Sequence, residues 1–217
     1  MKIALIGATG FVGSRILEEL LTREQDHEVI AIARNVEKID VKNPKVKAVS
    51  VDVSDTAKLA EALKGCKVVI NAFNAGWDNP NLYDDNMKGN ASIQSAVRAA
   101  NIRRYFVVGN AGSLYEGSKQ LVDTDDFPKE MKEGAKASRD YAQILRRETY
   151  LDWVHLAPQV GMNESVKTGR TGRFRTGSEE PLVKDGTATI SAEDYAVAVA
   201  NEVEKKAYSR KSYTVGY

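Results

Sequence analysis

The chain has 217 residues, 42% of them hydrophobic and 28% charged, with Lys+Arg 31 against Asp+Glu 30, a length and balance that suit one packed domain. A net charge of +1 gives no electrostatic pull toward nucleic acid or an acidic membrane, and a mean hydropathy of −0.39 speaks against both a disordered tract and an integral membrane protein. One cysteine, Cys66, and two separated histidines, His27 and His155, exclude an internal disulfide framework and a structural zinc site, so a reducing, cytoplasmic setting is expected and no metal.

The opening run, Met1 to Ile6, is too short for a signal peptide or a membrane span before Gly7 interrupts it, and nothing in it directs export. Short runs rich in Val and Ile recur at residues 3–6, 29–33, 46–51, 68–70, 105–108 and 153–156. They are apolar without alternation, as strands of a parallel sheet covered on both faces are. Helical spacing occupies residues 11–21, 56–63, 90–100 and 131–145. The alternation of strand and helix predicts an α/β fold, a doubly wound Rossmann-like parallel sheet with helices on both faces. Residues 121–132 read as a polar surface loop. After Pro158 the pattern changes. The glycine-punctuated stretch 168–177 predicts a loop with a small hairpin. Ser191 ahead of Glu193 and Asp194 predicts a helix over 192–205, and residues 211–215 a last strand. The expected organisation is a single domain, 1–217. Residues 1–157 would form a dinucleotide-binding core, and 158–217 a small C-terminal cap on the substrate side with a terminal helix and strand.

The most specific motif is Gly7-Ala8-Thr9-Gly10-Phe11-Val12-Gly13, placed directly after the first strand and opening the first helix. Gly7 makes the tight turn, Gly10 lets backbone N–H groups approach a pyrophosphate, and Gly13 permits close helix packing. The helix N-terminus adds favourable charge. About 20 residues beyond the glycines, a strand-end acid would hold a ribose 2′-OH and an arginine would accommodate a 2′-phosphate. The residue here is Arg34, which favours NADP(H) over NAD(H). Arg15 is a candidate second positive contact. Asp52 and Val53, after the third strand, are expected beside the adenine, and Asn71, Ala72 and Phe73, at the end of the fourth, beside the nicotinamide.

The glycine motif, Arg34, the segment Val107-Val108-Gly109-Asn110-Ala111-Gly112-Ser113-Leu114 and the turn Thr171-Gly172-Arg173-Phe174 together resemble the atypical short-chain dehydrogenase/reductases that bind NAD(P)H. Biliverdin reductase B, a flavin reductase, and bacterial NADH-flavin reductases belong to that group. The resemblance spans essentially the whole chain. It implies a Rossmann fold, a bound dinucleotide and hydride transfer to a planar small-molecule acceptor, a flavin or a quinone. The family places a serine near the nicotinamide after strand five, which makes Ser113 the candidate catalytic residue, one that positions the acceptor.

The sequence departs from short-chain dehydrogenases in lacking Tyr-x-x-x-Lys on the helix after strand five, since Tyr141 is followed by Leu145. Tyr115 and Lys119 match the string but fall in a glycine-containing segment. Where biliverdin reductase B has Pro-Pro-His, this chain has Ala157-Pro158-Gln159, and His155 is embedded in a strand. Arg170, Arg173 and Arg175 are candidates for a substrate carboxylate or phosphate. No nucleic-acid or membrane partner is expected, and a monomer or weak dimer is permitted. The alternative function is a non-catalytic NAD(P)-binding sensor resembling the NmrA-type regulators.

Overall fold

The computed structural model describes residues 1–217. The six apolar runs form β1 (Lys2–Ile6), β2 (Glu28–Ala33), β3 (Val46–Ser50), β4 (Val68–Asn71), β5 (Arg104–Val108) and, beyond the short hairpin of β6 (Tyr115–Glu116) and β7 (Lys119–Gln120), β8 (Asp152–Ala157). With β9 (Arg175–Gly177) and β10 (Lys211–Gly216) they give one sheet in the order β3-β2-β1-β4-β5-β8-β10-β9. Every pairing is parallel except β9 with β10. The strand order reverses between β1 and β4, and the crevice outside the C-terminal ends of such strands is where open α/β sheets bind ligands.

The helices are α1 (Phe11–Thr22), α2 (Thr56–Leu63), α3 (Leu82–Ala99), α4 (Lys132–Arg146) and α5 (Ala192–Lys205). α1 and α5 cover one face, packing Ile16, Leu20, Tyr195 and Val199 on Ile3, Leu5, Phe106 and Val154. α2, α3 and α4 cover the other, with Leu59, Ile93 and Tyr141 among the residues packed with Ile6, Ile32, Tyr105 and Trp153. Both faces of the strands are therefore buried, which is why the strand sequences lack alternation. Caps set the helix starts. Asp55 accepts from Lys58 N at α2, and Ser191 accepts from Asp194 N at α5, with Glu193 and Asp194 in its first turn. At the far edge Arg104 and Glu202 form an ion pair with both side chains about 95% buried, and Tyr208 N also donates to Glu202.

Three expectations need correction. Strand and helix do not alternate throughout, because residues 34–45 join β2 to β3 without a helix. Stretch 168–177 is not a hairpin: β9 joins the edge of the main sheet, and the hairpin is β6–β7 instead. The terminal helix and strand of residues 158–217 join the core, with β10 inside the sheet between β8 and β9 and α5 packed on α1. Stretch 121–132 holds two short 3-10 turns and buries Val122 and Phe127.

Candidate functional site

The turn between β1 and α1 is shaped by contacts that only glycine allows. Gly7 sits at φ +80°, and a Cβ there would lie 2.4 Å from Ala72 O. A Cβ at Gly13 would lie 2.0 Å from Gly7 O, so the helix is pressed against the turn it leaves. Gly7 N donates to Ile32 O at 2.9 Å and Gly10 N to Gly7 O at 3.0 Å, which fixes the loop from within. The N-terminus of α1 has no side-chain cap and no acid in its first turn. Its first-turn amides lack intrahelical partners and point their partial positive charge at open space, as an anion site requires.

Two chambers meet at this turn. The first is lined by Gly7, Thr9, Gly10, Ile32, Arg34, Asp52, Val53 and Ser54 from the ends of β1, β2 and β3, and by Lys88 and Ser92 from α3. Arg34 is exposed, and its charge helps hold the Asp52 carboxyl below its usual range. The larger contribution to that shift is the hydrogen bond from Ser54 N, which outweighs slight burial. Arg15 is committed elsewhere, to Glu18 and Glu193 at 3.3 and 3.1 Å.

The second chamber, about 470 Å³, shares Gly10, Ala72, Phe73 and Asn74 with the first. It continues past Phe11 and Val12 to Trp77, Asn110, Phe127, Met131, Val160 and Met162. Its floor is a buried polar chain. Asn71 Nδ2 donates to Asn90 Oδ1 and Tyr105 Oη, both at 2.7 Å, and Tyr105 Oη lies 3.0 Å from Tyr141 Oη. Phe73 N donates to Asn71 Oδ1 at 3.0 Å, so Asn71 fixes the strand end rather than presenting a free amide. Phe73 packs its ring on Gly89 of α3. Burial drives the Tyr141 phenol well above its ordinary value, with Tyr105 adding to the shift, and it stays neutral.

The helix face of α4 that borders this chamber carries Gly134 and, one turn on, Ser138. These two residues have the i, i+4 spacing of the absent Tyr-x-x-x-Lys pair. Gly134 is required where it stands: a Cβ would lie 2.6 Å from Trp77 Cζ3 and 3.1 Å from Leu82 Cδ2. The indole of Trp77 thus fills the space next to the helix. Neither Gly134, Ser138 nor Trp77 carried a sequence signal, because small residues have no periodicity and Trp77 arrives from a loop.

Other candidates fall outside the chambers or have their polar atoms already bonded. Ser113 ends a 3-10 turn, is 5% exposed, and donates its hydroxyl to Asn110 O at 2.8 Å. The residues that border the chamber at this strand end are Asn110 and Ala111. Tyr115 and Lys119 belong to the hairpin. Gln159 borders the chamber but spends its amide on Thr214 Oγ1, Val215 O and Leu182 N. Arg170 is clamped by Glu19 at 2.6 and 3.0 Å, and Arg175 bonds Tyr217 O. Arg173 sits in a turn whose amides, Thr171 N and Gly172 N, donate to buried Asp194. His155 is buried with neither ring nitrogen hydrogen-bonded.

A parallel sheet in the order 3-2-1-4-5, with a glycine turn at the switch point, defines a Rossmann dinucleotide-binding domain. The chain belongs to the NAD(P)H-binding family, whose model it matches over residues 7–206. It is 32% identical to the uncharacterized protein YwnB of Bacillus subtilis (strain 168), over 99% of this chain and 98% of that one. Among solved structures it is similar to a protein of Bacteroides thetaiotaomicron described as a "putative epimerase", at 38% identity and TM-score 0.90, covering 100% and 96% of the two chains. It is also similar to a "putative NADH-flavin reductase" of Streptococcus pneumoniae, at 30% identity and TM-score 0.86, covering 100% and 99%. No helix is long and apolar enough to cross a membrane.

Proposed function

We propose that this protein is an NADPH-dependent reductase that passes a hydride to a flavin-like or quinone-like acceptor. The observation that carries the reading is the meeting of two chambers at Gly10 and at Ala72, Phe73 and Asn74, one polar with Arg34 at its edge, the other mainly apolar and bordered by Gly134 and Ser138. The "putative NADH-flavin reductase" likeness supports the reaction class.

In this reading the amides of Thr9 and of Phe11 to Gly13 hold the pyrophosphate, Arg34 takes the 2′-phosphate, and Asp52 and Val53 flank the adenine. Asn71, Ala72 and Phe73 flank the nicotinamide, which supplies the hydride when the cofactor is bound. Ser113 acts one step back, fixing the turn that presents Asn110. No side chain of the second chamber is placed to give up a proton near neutrality. An acceptor whose reduced form delocalises charge would need no side-chain acid, because water would supply the proton that balances the hydride. A single buried cysteine, Cys66, fits a cytoplasmic enzyme.

The test is steady NADPH oxidation in the presence of FMN or a neutral quinone. Tight NADPH binding without turnover would favour the sensor reading, which the absence of an acid at Gly134 and Ser138 also suits. For cofactor choice, Arg34→Ala is expected to weaken NADPH roughly tenfold, the value of one charge-assisted contact at an exposed site, while NADH changes less than about twofold. Equal losses for both, measured by fluorescence titration, would remove Arg34 from the phosphate role.

A further inference from the structure

Resting on the reductase reading, we infer that the acceptor is an uncharged, flat carbonyl compound of quinone type, and that the second chamber discriminates against acceptors bearing a phosphate, carboxylate or sulfonate on the ring system.

The argument is a charge inventory. Among the side chains bordering this chamber Glu164 is the single carboxylic acid, and none is Lys, Arg or His. An anion taken into a largely apolar cleft loses its hydration and must be met by cations or several N–H donors. The cations around it are committed, border the other chamber or, like Lys129 and Lys132 beside Pro128 and Met131, stand outside the lining. Arg170 is clamped by Glu19, Arg15 by Glu18 and Glu193, and Arg34 and Lys88 border the other chamber. The uncapped amides of Phe11 to Gly13 also border this chamber, and in the reductase reading the pyrophosphate occupies them. Glu164 itself repels a like charge.

What the chamber does offer suits a neutral ring. Phe11, Trp77, Phe127, Met131 and Met162 supply apolar and aromatic walls, and such walls gain from burying flat apolar area. Uncharged donors stand among them, including Asn110 at the end of β5 and Ser138 on α4. Asn110 Oδ1 is taken by Gly112 N at 2.8 Å, leaving its Nδ2 without a partner in the protein. Ser138 is half-buried at the chamber wall, and its hydroxyl makes no hydrogen bond within the protein. Both can donate to the oxygen of a bound carbonyl, and neither carries charge. About 470 Å³ is available to the nicotinamide and the acceptor together, and an anionic substituent taken into it meets no cationic side chain in the lining.

The test compares 2-(hydroxymethyl)anthraquinone with anthraquinone-2-sulfonate, which share a ring frame, binding to the NADP⁺-loaded protein. Binding is followed as quenching of indole emission that Trp77→Phe removes. The neutral probe is expected to bind at least ~10-fold tighter, and Glu164→Lys to raise sulfonate affinity severalfold while leaving the neutral probe unchanged. Equal affinities, preference for the sulfonate, no binding of either probe, or no response to Glu164→Lys would each overturn the inference. NADPH turnover with 1,4-naphthoquinone is read separately. Neutral-probe binding without turnover would overturn the reductase reading and leave the charge selectivity standing.

Discussion

Replacing Gly13 with alanine is expected to cost about 3 kcal/mol of stability, toward the upper end of what forcing one methyl into a packed site costs. The added carbon would lie 2.0 Å from Gly7 O, and neither partner can yield alone. Gly7 is pinned by Ile32 O and by its own left-handed φ, and Gly13 is fixed by the buried face of α1. Gly10→Ala provides the contrast. Its Cβ would meet nothing closer than 3.4 Å, so stability should fall by no more than about 1 kcal/mol, the cost of losing glycine at an N-cap. NADPH affinity should nevertheless drop at least about tenfold, because the methyl stands where backbone must approach a pyrophosphate. Thermal unfolding and nucleotide titration of the two variants separate these effects. If Gly10→Ala binds NADPH as the parent does, the turn is not the phosphate cradle.

Acidification from pH 6.5 to 4 is expected to remove about 3 kcal/mol of folding stability through His155 alone. Burial, reinforced by the positive charge of Arg146, lowers this histidine from 6.5 to about 4. Neither ring nitrogen has a partner, and Nε2 lies against Gly109, so an added proton finds no acceptor. Because the folded value lies below the unfolded one, the unfolded chain binds more protons throughout this window. The loss therefore begins as pH falls through 6.5 and is complete near 4. His155→Leu should flatten the dependence over that interval. Glu148 governs a lower one: burial raises it, but hydrogen bonds from Arg98 and from the amides of Tyr150 and Leu151 bring it to about 2, so its contribution is lost only below about 4.5. Urea melts at stepped pH resolve the two. An unchanged slope above pH 4.5 in His155→Leu would show that the histidine is not the group responsible.

Much of the fold was legible because a covered parallel sheet leaves continuous apolar runs, and all six appear as strands. The glycine turn was legible for a related reason, since three glycines at a strand–helix junction answer steric demands visible as spacing. The first half of α3 was not. Its inward face is built from Asn86, Gly89 and Asn90, polar or side-chain-free residues that serve Ala75 N, Phe73 and Asn71 and so leave no hydrophobic period. Ser113 was misjudged because distance along the chain from β5 does not reveal a 3-10 turn, which carries the hydroxyl inward to Asn110 O. Spacing offers Arg170, Arg173 and Arg175 to a substrate carboxylate or phosphate, whereas Glu19 and Tyr217 O hold two of them. Such pairings join positions far apart in sequence, and spacing is silent about them.

The packing of Trp77 on Gly134 bears on what this helix could become. Installing a tyrosine–lysine couple at these two positions of α4 needs the indole evicted to make room for the phenol. Gly134→Tyr made by itself collides with Trp77, and Ser138→Lys made by itself finds only the Tyr141 phenol, buried against Tyr105. The route from this scaffold to reversible carbonyl chemistry therefore runs through three linked substitutions, with no evident benefit at the first two.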